Sequence, residues 1–89
     1  MMKIEVEPGR IVRSRAGRDQ GRRFVVIACE GEYASIADGQ LRKTDRPKKK
    51  KLKHLEATKD RMERMPDGRA PEDHEIRSAL KATEPEEEG

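Results

Sequence analysis

The segment 9–27 constrains the fold of this chain most, because its pattern is that of two β-strands joined by a glycine-containing turn. An Ile-Val pair at 11–12 marks the first strand, and a β-branched and aromatic run at 24–27 marks the second. The connection between them holds Gly17 and Gly21 and is too long for a two-residue hairpin. We therefore predict positive φ or a bulge at these glycines, within a small β-fold.

The next segment predicts further strands. Asp38-Gly39 is a strong signal for a type I′ hairpin, and Pro47 ends the ladder because proline has no N–H to donate. The run Lys48–Lys51 is predicted to be a solvated arm. The predicted strands are Arg10–Arg15, Arg22–Cys29, Tyr33–Ala37, Gln40–Lys43 and a short closing strand at Leu52–Leu55.

The C-terminal third favours helix. Lys59–Met65 is predicted to form one or two helical turns. A second helix is predicted from Pro71 or Glu72 to Ala82, with acidic residues near its start and Lys81 near its end. Its apolar residues include Ile76 and Leu80, spaced four apart, so one face can dock.

Charge divides the chain. Residues 1–60 carry a net charge of +7 and residues 61–89 carry −4, which together give +3. The acidic end is predicted to be disordered, either as a solubilising tail or as a competitor that folds back on the basic residues. We predict a barrel at 1–58 with a basic arm at 46–53, an extension with one short helix at 59–83, and a disordered acidic tail at 84–89.

The composition limits the core. Charged residues make up 44% of the chain and hydrophobic ones 31%, so a domain of this size is marginal in stability without a partner. The single Cys29 excludes an internal disulfide, and its apolar strand predicts a buried reduced thiol in a reducing, cytoplasmic setting. We expect no membrane association, because no apolar run approaches the ~20 residues of a membrane span.

Arginine is concentrated around the first hairpin. Five guanidinium groups, here called the arginine rim, are predicted to crowd one edge of the fold: Arg13, Arg15, Arg18, Arg22 and Arg23. Guanidinium groups match phosphate oxygens, and such a basic patch is typical of nucleic-acid binders. Other predicted RNA contacts are Arg42, Lys43, Arg46, Lys48, Lys49, Lys50, Lys51, Lys53 and His54. The predicted structural turn residues are Gly17, Gly21, Asp38 and Gly39.

Catalytic and metal-binding patterns find little support. Ser14 and Ser35 have no general base nearby in the sequence, and the two histidines lie far apart with no thiol at metal-ligand spacing. We therefore expect no enzyme, metal or cofactor. Phe24 is predicted to lie in the core, while Tyr33 either caps the barrel or stacks on a base. With so few aromatics, recognition should depend on RNA shape.

The hairpin also carries a family resemblance. Gly21, with Val12 before it and Val25 or Val26 after it, resembles the KOW motif of an SH3-like β-barrel. The chain resembles large-subunit protein fourteen of eukaryotic and archaeal ribosomes, and more strongly the short bacterial KOW-domain RNA-binding proteins. The match covers roughly residues 8–58 and, more weakly, 75–80; its blocks are 14–21, 37–42, 47–50 and 53–55.

The resemblance implies a small SH3-like barrel of about five strands that binds RNA. The expected partners are ribosomal RNA and, with it, ribosomal proteins, and the expected state is a monomer. An alternative remains open, since SH3-like barrels of elongation factors also dock on proteins. In that case the helix residues Ile76 and Leu80 would make the contact.

Overall fold

The computed structural model describes residues 5–62 and 65–83 and consists mainly of β-structure. Its five strands form one antiparallel sheet in the order β4-β3-β2-β1-β5, followed by a single helix in the described part. The elements are β1 Arg10–Ser14, β2 Arg23–Glu30, β3 Tyr33–Ala37, β4 Lys48–Lys51, β5 Leu55–Arg61 and α1 Asp73–Ala82, with 3-10 turns at Gly17–Asp19 and Leu52–His54. The predicted class, a small five-stranded β-fold with a short C-terminal helix, is confirmed.

Apolar side chains are buried on both faces of the central strands. Because successive residues of a strand point to opposite faces, neighbouring residues of β1 and β2 enter different layers. The inner layer contains Val12, Phe24, Val26, Ala34, Ile36 and Leu55. The outer layer contains Ile11, Val25, Ala37, Met62 and Ile76. Helix α1 therefore completes the core through Ile76, which is fully buried.

Helix α1 begins within two residues of its predicted start. The side chain of Glu75 accepts a hydrogen bond from the Glu72 backbone N–H at 2.7 Å, which holds the first turn. The carboxylate of Asp73 accepts a hydrogen bond from the Thr44 backbone N–H at 2.8 Å, so the helix start is fastened to the loop after β3. In the described residues no helix is long and apolar enough to span a membrane.

The strand predicted at Gln40–Lys43 is wrong. The backbone N–H groups of Asp38 and Gly39 both donate to the Arg42 carbonyl, at 2.9 and 3.0 Å. The Asp38 carboxylate accepts from the backbone N–H groups of Gln40 and Arg42, at 2.9 and 2.8 Å. Because the Asp38 side chain closes this turn on itself, residues 40–43 do not pair with β3, and the chain returns along β3 only at Lys48–Lys51.

The solvated arm predicted at Lys48–Lys51 is also wrong. These residues form β4, which pairs antiparallel with β3 from Ile36 opposite Lys48 to Tyr33 opposite Lys51. The fourth strand is therefore built from lysines.

The closing strand predicted at Leu52–Leu55 is displaced along the chain. Residues 52–54 form a 3-10 turn, and the strand β5 begins at Leu55 and continues to Arg61. The helical turns predicted from Lys59 are therefore wrong over Lys59–Arg61, and the boundary predicted at residue 58 falls inside a strand. Residues 63–64 and the predicted tail at 84–89 lie outside the described residues.

Cys29 is exposed, whereas its apolar neighbours predicted burial. The ladder between β2 and β1 covers Arg23–Val25, whereas the end of β2 pairs with β3, with Cys29 opposite Ala34. The Cys29 Sγ lies 3.5 Å from the Val6 carbonyl oxygen. Partial desolvation, with the negative charge of Glu7 as a smaller cause, raises the pKa of this thiol.

Candidate nucleic-acid interface

The turn between β1 and β2 presents the first basic side chains. Gly17 and Gly21 have φ of +77° and +89°, conformations that favour glycine, as the sequence predicted. The Gly21 backbone N–H donates to the Ser14 carbonyl at 2.8 Å and closes the turn. Arg15 and Arg18 project from this turn and are exposed.

The exposed arginines of this turn form no ion pairs with the described acidic residues. Among the described residues neither Arg15 nor Arg18 forms an ion pair. The Arg15 backbone N–H donates to the His54 carbonyl at 2.8 Å, which brings the 3-10 turn with exposed Lys53 beside it. Here the fold joins two basic segments that are distant in sequence.

Arg13 and Arg23 lie opposite each other on neighbouring strands, and Glu56 lies opposite Arg13 on the other side. Arg13 is half-buried. Like charges in directly opposed positions are unfavourable unless each has a partner.

Arg23 contacts the end of the helix. Its Nη2 donates to the Leu80 carbonyl at 2.7 Å and its Nη1 donates to the Thr83 carbonyl at 2.9 Å. A cation at a helix C-terminus stabilises the orphan carbonyls there. The geometry thus gives Arg23 a structural contact between β2 and α1, where the sequence had predicted a phosphate contact.

Two of the predicted RNA-binding lysines point to the β1–β2 turn. The Lys48 ammonium pairs with the Asp19 carboxylate. The Lys50 Nζ lies 3.9 Å from the same carboxylate and donates to the Ala16 carbonyl at 3.0 Å. The hydrogen bond from Lys48 is the largest cause that lowers the pKa of Asp19. These lysines fasten β4 to the turn, and the Lys50 side chain is only 10% exposed.

The other two lysines of β4 belong to the opposite face of the strand. The Lys49 Nζ lies 5.8 Å from the centre of the Tyr33 ring, within cation–π range, and 3.9 Å from a carboxylate oxygen of Glu30. Tyr33 is 38% exposed. A lysine therefore already lies near this partly exposed ring.

The loop 38–47 carries the next predicted contacts. Arg42, Lys43 and Arg46 are all exposed in it. The same loop holds Leu41, a residue that is 70% exposed.

A cleft lies where the start of β2, the turn at Asp38 and helix α1 meet. We call it the basic cleft; it has a volume of about 430 Å³, and its charged lining residues are Arg22, Arg23, Asp38, Arg77 and Lys81. An Arg22 Nη2 lies 3.3 Å from the Asp38 carboxylate, and the Arg77 Nη1 donates to the Gly39 carbonyl at 2.7 Å. Arg77 and Lys81 are not among the residues predicted from the sequence. Their i, i+4 spacing on a predicted helix is the signal that could have indicated a shared basic face.

Ser14, one of the two serines considered for catalysis, has a local structural partner. Ser14 is buried, and its hydroxyl donates to the Ala16 carbonyl at 3.1 Å. Within residues 5–62 and 65–83, no group of three or more His, Cys, Asp or Glu side chains is placed to hold a metal ion.

No protein-family model matches the chain, and no curated protein matches it.

Proposed function

We propose that this protein is a non-catalytic RNA-binding protein of the cytoplasm that contacts ribosomal RNA or the ribosome. The observation that carries the proposal is the pair Arg15 and Arg18. Both are exposed and form no ion pair within the described part of the chain, and Arg15 lies beside the turn that carries Lys53. Unpaired guanidinium groups that converge on one turn repel one another until an anion lies between them.

The binding mechanism follows from the side chains that remain available. Arginines grip phosphates and release the counterions condensed on the RNA, which supplies affinity without reading sequence. The chain has two aromatic residues, and Phe24 is buried in the core. Base stacking therefore contributes little, and the proposed recognition depends on the shape of a folded RNA.

The resemblance to KOW-domain RNA-binding proteins supports the choice of ribosomal RNA over other anions. The proposed protein acts as a monomer, needs no cofactor, and has ribosomal proteins as neighbours when it is bound. The basic residues support an anionic partner independently of this resemblance.

The alternative function is a protein-docking module that contacts its partner through the apolar face of α1. Ile76 is fully buried against the sheet, so the apolar face of α1 packs within the chain. Within the described residues, the feature that favours docking is Leu41, which is 70% exposed between Gln40 and Arg42. Loss of a captured ribosomal or polymerase protein from L41S, with RNA binding unchanged, would favour that alternative.

The proposal is tested by removing the two exposed arginines together. In R15A/R18A we expect the affinity for a folded ribosomal RNA fragment to fall about tenfold, with the spectrum of the folded protein unchanged. Because fewer counterions are released, the slope of log affinity against log salt should become shallower by roughly 1.4 to 1.8. Binding is measured by fluorescence anisotropy at several salt concentrations between about 50 and 300 mM, a range wide enough to define the slope of log affinity against log salt.

The matched control is K59A/R61A, which removes the same charge from exposed residues of β5. In the ladder between β1 and β5, Arg61 lies opposite Arg10, which is at the other end of β1 from Arg15. The control should keep the wild-type slope. Equal losses of affinity and slope in the two double variants would refute a specific surface and leave only general charge attraction.

A further inference from the structure

The basic cleft collects positive charge from separate parts of the chain. Arg22 and Arg23 come from the start of β2, and Arg77 and Lys81 come from α1. Among the described residues that line the cleft, Asp38 is the one acidic side chain, so the formal charge of these residues is +3. A concave surface with this balance concentrates anions.

The Asp38 carboxylate is already committed to local partners. It accepts hydrogen bonds from the backbone N–H groups of Gln40 and Arg42 and is 7% exposed as a residue. Its charge therefore stabilises the turn and neutralises only part of the cleft.

The cationic groups keep free donors. A guanidinium has five N–H donors, and with the described residues Arg22 and Arg77 each make one side-chain hydrogen bond in the cleft, to Asp38 and to the Gly39 carbonyl. The Lys81 ammonium forms no ion pair among the described residues, and Lys81 is exposed. Arg23, with its contacts to Leu80 and Thr83, serves instead to hold the helical wall of the cleft in place.

We propose that the basic cleft binds a phosphate group of RNA through Arg22, Arg77 and Lys81. A volume of about 430 Å³ lies within the range of sites that hold small ligands, so the cleft has room for a phosphate with its sugar. The inference rests on the proposed function for the identity of the molecule that carries the phosphate. It adds helix α1 to the interface as a wall of the binding site.

The phosphate site is tested first with inorganic phosphate. In the wild type, the backbone amide signals of Gln40 and Lys81 should shift saturably in NMR spectra, against a chloride titration of equal ionic strength. In R77Q/K81Q the dissociation constant should rise at least fivefold, while the control K59Q/R61Q keeps the wild-type value. Shifts spread evenly over the surface, or equal weakening in both double variants, would overturn the proposal.

A single substitution separates binding from helix docking. R77Q also removes the hydrogen bond to the Gly39 carbonyl, whereas Lys81 makes no such contact among the described residues. K81Q alone should therefore weaken phosphate binding about two- to threefold and leave the melting temperature unchanged. Unchanged phosphate affinity in K81Q would remove this lysine, and with it the proposed three-cation site.

The source of the phosphate is distinguished with two RNA hairpins, one with a 5′-phosphate and one with a 5′-hydroxyl. Equal loss of affinity for both in R77Q/K81Q assigns the site to the RNA backbone, and a larger loss for the phosphorylated hairpin assigns it to the RNA end. If R77Q/K81Q binds both hairpins as the wild type does while R15A/R18A does not, the cleft inference fails and the proposed function stands. If phosphate binds in the cleft but neither the wild type nor any variant binds RNA, the proposed function fails instead.

Discussion

The contact between Gly39 and helix α1 makes a prediction that can be worked out from distances. Gly39 has φ of +80°, and a Cβ atom added there would lie 2.6 Å from the Asp73 carbonyl oxygen. The positive φ alone costs a side-chain-bearing residue about 1–3 kcal/mol. Because the nearest atom belongs to the helix backbone, G39A must also push the start of α1 away, which overpacking data place at about 1–3 kcal/mol more.

Gly21 provides the matched control for G39A. Its φ is +89°, close to that of Gly39, but a Cβ atom there would meet nothing within 4 Å. G21A should therefore show the cost of the backbone conformation without the clash. We expect G39A to be less stable than G21A by about 2 kcal/mol, which corresponds to a melting temperature roughly 8–16 °C lower in a domain of this size.

The assay is thermal and urea unfolding followed by circular dichroism. Hydrogen exchange at Ile76, the buried residue of α1, reports the docking of the helix. Its amide should exchange faster in G39A than in G21A. Stabilities of the two variants within about 0.5 kcal/mol of each other would refute the close approach of helix and turn.

The remaining predictions concern charge. D19N should lose about 1–2 kcal/mol at neutral pH, because Lys50 becomes a nearly buried cation without its carboxylate, whereas exposed D67N should lose little. The folded pKa of Asp19 lies below its usual 3.8, so the stability that its carboxylate contributes is present above that value and is lost as the pH falls through the folded pKa. The difference in unfolding free energy between D19N and the wild type should therefore shrink below pH 4. A difference that stayed constant there would contradict this explanation. Replacement of the four glutamates at 84–88 by glutamine should leave binding to an unrelated RNA duplex unchanged at low salt, and tighter binding would instead indicate that the tail competes with RNA.

The elements with a local hydrophobic pattern could be predicted from the sequence. The strands β1, β2 and β3 and helix α1 lie within about two residues of their predicted bounds, because β-branched runs, turn residues and 3.6-residue spacing specify them locally. The strand β4 could not be predicted this way, because four lysines carry no strand signal. Its conformation depends on pairing with β3 and on the Asp19 carboxylate in a distant turn.

The candidate site was partly predictable for the same reason. Arg15 and Arg18 project from a turn that Gly17 and Gly21 predict, so their exposure follows from the local sequence. The structural contact of Arg23 and the place of Arg77 in the cleft depend on how α1 docks. That docking joins segments about 40 to 60 residues apart, which no local pattern reports.

The lysine composition of β4 has a consequence for the protein at high concentration. This strand is the outermost on its side of the sheet, and an unpaired strand edge is a template on which another chain can add. All four residues of Lys48–Lys51 are lysines, and the single Asp19 carboxylate neutralises only part of their charge, so the same edge of a second molecule meets repulsion before a ladder can form. The strand β4 has no apolar side chain and is held in the sheet by its pairing with β3. Its positive charge thus disfavours the edge-to-edge association of sheets that leads to fibres.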